Sequence, residues 1–293
     1  MSDMQEKGKK IKIINGVVVK ATQETPDTWT LDIFVDDQHK DYKAGQFISI
    51  NPHQFPELRD FINYFEGQKS KVEPIRAYSL TSAPHEKYIS ITIKPENYHP
   101  GPDAYPPLLS PFLASDIMVG REIEFTGYAG AYIIPDDLRP NTDHLIHLVA
   151  GSGVVPSFSI IKDELLGKKS SFKHTLVSVN KTKDDIIFHR QLEELRTKFP
   201  ERFQVYYFLT RDEKSNDLAP HYFMGRPKNE FIEQLVMDKA KTLFFACGPA
   251  LTKWQKKAAQ DPKSLKPRFM EWVQDIIYKM EIDRHRFRRE IYG

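Results

Sequence analysis

The strongest constraint in this sequence is a change of periodicity near residue 141. From Ile11 to about Pro135 the chain is written in short runs rich in Ile, Val, Thr and Phe, among them IKIINGVVV, WTLDIFV, GQFISI, YISITIK and REIEFTG. Such residues, alternating with polar ones, suit strands with one wet face. No long helical period interrupts them, although LLSPFLASDI can form one short helix. Short strands with irregular connections point to an antiparallel barrel or sandwich.

Past DDLRPNTDH, where Pro, Asn and Asp gather, the pattern becomes a regular alternation. HLIHLVA, HTLVSV, RFQVYYFLT and TLFFACG are expected as buried strands. SFSIIKDELLG, IIFHRQLEELRTKF, EFIEQLVM and LTKWQKKAAQ are expected as helices. Strand–helix alternation at this spacing means βαβ units and a parallel sheet. The expected fold is therefore two-domain: an antiparallel β-barrel over 11–140, then an α/β doubly wound parallel sheet over 141–293 with a helical, basic C-terminal extension. Residues 1–10 read as a flexible tail. A chain of 293 residues suits two such domains. Two connections, Asn51 to Pro74 and Tyr98 to Pro107, exceed what the barrel needs, and long connections are often functional.

Composition excludes several classes. The single cysteine rules out an internal disulfide, a four-cysteine iron–sulfur cluster and a cysteine-rich zinc site within one chain. It fits a reducing, cytoplasmic compartment. The N-terminal MSDMQEKGKK carries charges with no apolar run behind them, against a secretory signal. The longest uncharged run, His144 to Ile161, holds two histidines, two glycines and a proline, so no membrane span is expected. A net charge of +2 gives no case for nucleic acid. Residues 253–293 are locally basic, with eleven Lys/Arg against six Asp/Glu, which suits either a solvated helix face or a docking patch for an acidic partner. No H-E-x-x-H or G-x-S-x-G occurs, and no metal is expected.

Three motifs carry chemistry. Arg76-Ala77-Tyr78-Ser79-Leu80 falls between two expected strands of the first half. Its arginine can fork onto a phosphate, its tyrosine can lie on a planar ring, and its serine can bond a ring nitrogen. Alone, such a run is more often structural. Gly151-Ser152-Gly153-Val154-Val155-Pro156 joins a strand to a helix start, where glycines let the backbone approach a pyrophosphate. It departs from G-x-G-x-x-G, because Pro156 holds the third glycine's place. Cys247-Gly248-Pro249 puts a thiol and a tight turn at the carboxyl end of an expected parallel strand, the edge where open α/β sheets bind ligands.

In this order and on these two textures, the motifs resemble the ferredoxin–NADP reductase superfamily, which includes cytochrome b5 reductase-like proteins and reductase components of bacterial oxygenases. The resemblance runs from about Ile11 to Tyr292 and takes in Gly45-Gln46-Phe47, the stretch from Gly127 to Tyr132, and Thr210-Arg211-Asp212. It implies a six-stranded FAD barrel followed by a five-stranded NAD(P) domain. Carried over, Arg76 binds the FAD pyrophosphate, Tyr78 packs on the flavin, and Ser79, followed by Leu80, bonds flavin N5. Ile93 and Lys94 line the ribityl and phosphate. Leu108, Leu109 and Ser110 stand where the family has G-x-S, with no glycine in that turn. Gly151, Ser152, Gly153, Val154 and Pro156 form the nicotinamide and pyrophosphate loop, and Cys247, Gly248 and Pro249 lie near the nicotinamide. Glu290 and Tyr292 resemble the terminal E-x-aromatic, where the acid approaches the flavin and the aromatic covers it. Ser79, Tyr78, Cys247 and Glu290 are the candidate catalytic residues.

The implied activity is that of an FAD-dependent NAD(P)H reductase. Hydride passes from NAD(P)H to flavin N5, and electrons then go to a separate redox protein such as a ferredoxin, flavodoxin or oxygenase component. Direct reduction of small acceptors (free flavin, quinone, ferric chelate) and service as an electron-transfer subunit of a larger complex are the alternatives. NADPH and NADH both stay open: Asn180 and Lys181 follow HTLVSV with no acid at the strand end, and Lys181 with Arg211 allows a 2′-phosphate.

Overall fold

The computed structural model describes residues 12–95, 105–212, 219–252, 255–256 and 265–292. The expected N-terminal tail, most of the Tyr98–Pro107 connection and most of the expected helix LTKWQKKAAQ lie outside these residues.

The first half is an antiparallel six-stranded sheet in the order β4-β3-β6-β1-β2-β5. Its strands are β1 (Ile13–Thr25), β2 (Thr28–Phe34), β3 (Phe47–Ile50), β4 (Arg76–Ser79), β5 (Ile89–Ile93) and β6 (Glu122–Ala129). The Arg76 motif is thus a strand itself rather than a link between strands. Leu80, one residue past β4, bridges Ile91 of β5 and closes the sheet into a barrel. Period-two alternation fills the interior: Ile14 and Val18, Leu31 and Ile33, Ile48 and Ile50, and Ile89, Ile91 and Ile93 all point inward. Each such buried side chain contributes roughly 1.5–3 kcal/mol. Polar residues on the other face of β5 are satisfied in pairs. Thr92 bonds Thr30 at 2.8 Å and Thr81 at 2.6 Å, and Ser90 donates to Asp32 at 2.6 Å.

Two short helices decorate the barrel. α1 (Arg59–Lys69) lies in the long connection between β3 and β4, and α2 (Leu109–Leu113) precedes β6. α1 anchors to the core through Ile62, while Phe61 and Tyr64 stay exposed. Its last residues run toward the start of β4.

The second half is a parallel sheet in the order β10-β9-β8-β7-β11-β12. It comprises β7 (His144–Ala150), β8 (Lys173–Asn180), β9 (Phe203–Leu209), β10 (Tyr222–Met224), β11 (Thr242–Pro249) and β12 (Phe287–Tyr292). α3 (Val154–Lys162) and α4 (His189–Lys198) cover one face. α5 (Asn229–Gln234) and α6 (Phe269–Lys279) cover the other. Six strands stand where the resemblance implied five; the short edge strand β10 is three residues long and carries no readable alternation. On β11 the faces separate cleanly. Phe244 and Ala246 turn toward α6, while Leu243, Phe245 and Cys247 turn toward the barrel, where they meet Ala44 and Tyr132.

Two histidines are buried in this sheet. His147 Nε2 and His174 Nδ1 are 3.2 Å apart, and the ring of His147 is stacked on Phe245. His147 Nδ1 and His174 Nε2 have no hydrogen-bond partner among the described residues. Burial holds His147 well below the usual imidazole range, and it drops His174 from 6.5 to about 3. The unfolded chain takes up these protons near 6.5, whereas the folded chain resists until far lower pH. Their contribution to stability is therefore full above pH 6.5 and is lost as pH falls toward 3. The denaturant midpoint should already decline between about pH 6.5 and 5, above the carboxylate range. His174→Gln should flatten that decline. A midpoint constant over this window in the unsubstituted protein would contradict the assignment.

Candidate active site

A cleft of about 1400 Å³ runs between the barrel and the carboxyl edge of the parallel sheet. That exceeds the roughly 300–1,000 Å³ usual for one small ligand. On the barrel side, Arg76 stands at the rim with its side chain about half exposed. The ring of Tyr78 is buried, and its hydroxyl shares a 2.9 Å hydrogen bond with Ser110 Oγ. Burial pushes the Tyr78 hydroxyl up to about 12, so it stays neutral at physiological pH. Ile93, Lys94, Leu108, Leu109 and Ser110 all reach the wall. Leu80 does not: it sits in the barrel core, because closure at Ile91 turns it inward.

On the other side, Gly151 and Ser152 line the cleft at the end of β7. Gly151 has φ +54°, and a Cβ there would meet nothing within 4 Å. Gly153 faces the opposite way. A Cβ on it would lie 2.1 Å from the Cys247 carbonyl oxygen, so only glycine lets the loop rest on β11. Gly248 is similarly tight, with a Cβ falling 2.6 Å from Phe269. Val154 and Pro156 are buried in the first turn of α3; they fix the helix start instead of lining the cleft. Asn180, Lys181 and Arg211 lie at the carboxyl ends of β8 and β9 and do line it, as does Pro249.

The two halves join at Ser79. Cys247 of β11 is in register with Glu290 of β12, and Pro249 with Tyr292. Because successive strand residues alternate sides, Cys247, Glu290 and Tyr292 share the face turned to the barrel. Tyr292 donates its hydroxyl to Ser79 Oγ at 2.5 Å, and Ser79 Oγ donates to Glu290 Oε2 at 3.1 Å. Burial raises the carboxyl of Glu290 above its ordinary range, against the lowering effect of the Ser79 bond. Burial also pushes the Cys247 thiol and the Tyr292 hydroxyl up, and Glu290 adds to both. The result is an oriented hydrogen-bond chain among groups whose ionised forms burial disfavours, flanked by two walls that carry cations. Such a site can bind phosphates on both sides and hold a proton at the junction.

Several wall residues carry no sequence motif. Arg226, at the end of β10, and Lys69 and Glu73, from the long connection, line the cleft. The turn Gly225-Arg226-Pro227 and the Lys69/Glu73 spacing were the available signals, and both are too common to stand out. Among the described residues no group of His, Cys, Asp and Glu could hold a metal, and no helix is long and apolar enough to cross a membrane.

Residues 148–257 match the oxidoreductase NAD-binding domain family. The chain is 29% identical over 252 residues to the glycine betaine monooxygenase reductase subunit of Chromohalobacter salexigens, covering 84% of this chain and 59% of that one. It is 26% identical over 189 residues to NADH-cytochrome b5 reductase 2 of Botryotinia fuckeliana, covering 63% and 50%. The chain thus spans about half to three-fifths of the length of these relatives. In fold it is similar to the flavohem-like FAD/NAD binding domain of nitric oxide dioxygenase from Vibrio cholerae, with TM-score 0.67, 20% identity and coverage of 96% and 98%. Ferredoxin-NADP+ reductase from Plasmodium falciparum gives TM-score 0.67 at 18% identity, covering 96% of each chain. The chain thus carries an oxidoreductase NAD-binding domain over residues 148–257, and its antiparallel barrel followed by a parallel sheet is similar in fold to these solved reductase structures along both halves.

Proposed function

We propose that this protein is an FAD-dependent NAD(P)H reductase that passes electrons to a separate redox protein. The observation that carries the proposal is the junction at Ser79, where Tyr292 and Glu290 converge between two phosphate-suited walls. The donor set fits the two cofactors. Arg76, Lys94 and Ser110 on one wall suit a flavin dinucleotide, with Tyr78 offering a flat apolar ring. Gly151 and Ser152 on the other suit the diphosphate of a nicotinamide coenzyme. Bound flavin supplies the hydride-accepting and electron-releasing chemistry. The chain's own residues align and exclude. Ser79 and Tyr292 hold the junction by hydrogen bonds. Cys247, with its thiol buried and neutral, leaves room without adding charge. Glu290, with its carboxyl raised, can carry the proton that the Ser79 hydroxyl relays.

A protein acceptor is favoured by the relatives, whose names assign them to cytochrome b5 and to a monooxygenase. With one cysteine, this chain cannot itself supply a four-cysteine iron–sulfur cluster.

NADPH is the coenzyme the wall fits best. The strand end carries Asn180 and Lys181 instead of an acid, and Asp185 is engaged by Thr182 at 2.7 Å. Arg211 and Arg226 have no ion pair among the described residues, and both face the cleft.

Two outcomes test this reading. Ser79→Ala should slow anaerobic flavin reduction in a stopped flow by about 10²-fold through misalignment. Its FAD dissociation constant should stay within about threefold. Unchanged reduction in that variant would remove Ser79 from the junction's work. Arg211→Ala should raise the KM for NADPH roughly tenfold or more and leave that for NADH in place. Equal losses with both coenzymes would contradict a 2′-phosphate contact.

A further inference from the structure

The long connection between β3 and β4 reaches the cleft through Lys69 and Glu73. The Glu73 side chain is only 5% exposed, yet it is a carboxylate with two cations on it. Lys69 Nζ lies 3.0 Å from Oε2 and Arg76 Nη2 lies 3.1 Å from Oε1. A relay of contacts fixes its position. Asn51 Oδ1 meets His53 Nδ1 at 2.9 Å, His53 Nε2 meets Glu66 Oε1 at 2.8 Å, and the same Glu66 oxygen accepts the Glu73 backbone N–H at 2.7 Å. The Lys69 ammonium also lies 4.6 Å from the centre of the Tyr105 ring.

Charge on this wall is finely divided. The barrel-side cations of the cleft are Lys69, Arg76 and Lys94; the barrel-side carboxylates are Glu73 and Asp27. Lys94 is held by Asp27 at 2.8 Å, with Asp185 at 3.8 Å. Without Lys69 the barrel wall would carry as many carboxylates as cations, and a diphosphate would lose the net attraction that favours it there. The turn at Leu108-Leu109-Ser110 has no glycine to bring backbone N–H groups close, so side-chain charge matters more here.

We propose that Lys69 and Glu73 belong to the diphosphate-binding site of the flavin dinucleotide. Lys69 contacts the diphosphate, and Glu73 is a positioning residue that holds Lys69 and Arg76 side by side. The proposal rests on the reading of the cleft as an FAD site and extends it to a segment outside every recognised motif.

Titration of flavin-free protein with FAD and with riboflavin, which lacks phosphate, tests it by fluorescence. Lys69→Met should weaken FAD roughly tenfold or more and leave riboflavin within about threefold, with Lys69→Arg restoring FAD. Glu73→Gln should also weaken FAD selectively, even though it makes the wall more positive. Unchanged FAD affinity in Lys69→Met, parallel loss of FAD and riboflavin, or tighter FAD binding in Glu73→Gln would overturn the proposal while leaving the FAD reading intact. Failure of the unsubstituted protein to bind either flavin would overturn both.

Discussion

The hydrogen-bond chain from Tyr292 through Ser79 to Glu290 joins residues more than two hundred positions apart, and the cleft depends on it. It is the inner end of a polar seam between the sheets. Tyr132, buried against Phe245, shares a 2.7 Å bond with Ser157 at the start of α3, and Ser159 donates to the Ser82 carbonyl at 2.5 Å. Gly45 permits a close approach of the barrel to Tyr132: a Cβ there would lie 1.9 Å from the Tyr132 carbonyl oxygen. A seam of buried, satisfied hydrogen bonds is stiff and specific, because leaving any one unmade in a dry interface costs about 1–3 kcal/mol. The walls on either side are thereby held at one separation.

That stiffness explains how charge is distributed. Cations stand on the rims, where solvent reaches Arg76, Arg211 and Arg226, and where phosphates can replace water. At the junction Glu290, Tyr292 and Cys247 are buried together: burial pushes all three groups up, and Glu290 adds to the rise of Cys247 and Tyr292.

Much of this was legible in the sequence because it is local. Strand alternation and helical spacing repeat within a few residues, so the two sheets follow from runs such as GQFISI and HLIHLVA. Arg76, Tyr78, Ser79 and Gly151 fall in short motifs for the same reason. What was not legible depends on register and closure. Leu80 belongs to a recognised motif, yet barrel closure turns it into the core. Val154 and Pro156 belong to the glycine loop, yet helix geometry buries them. Glu290 and Tyr292 were expected beside the flavin only through the family resemblance, because their convergence on Ser79 needs the pairing of β12 with β11, which no local pattern encodes. Lys69 and Glu73 acquire meaning only once α1 delivers them to Arg76.

The central claim is that the junction at Ser79 aligns a nicotinamide coenzyme with a flavin. The most direct measurement is to load the purified protein with FAD and mix it anaerobically with NADPH, then with NADH, following the flavin absorbance in a stopped flow. The account predicts rapid bleaching, faster with NADPH at low coenzyme concentration. A protein that retains FAD and is bleached by neither coenzyme would contradict it.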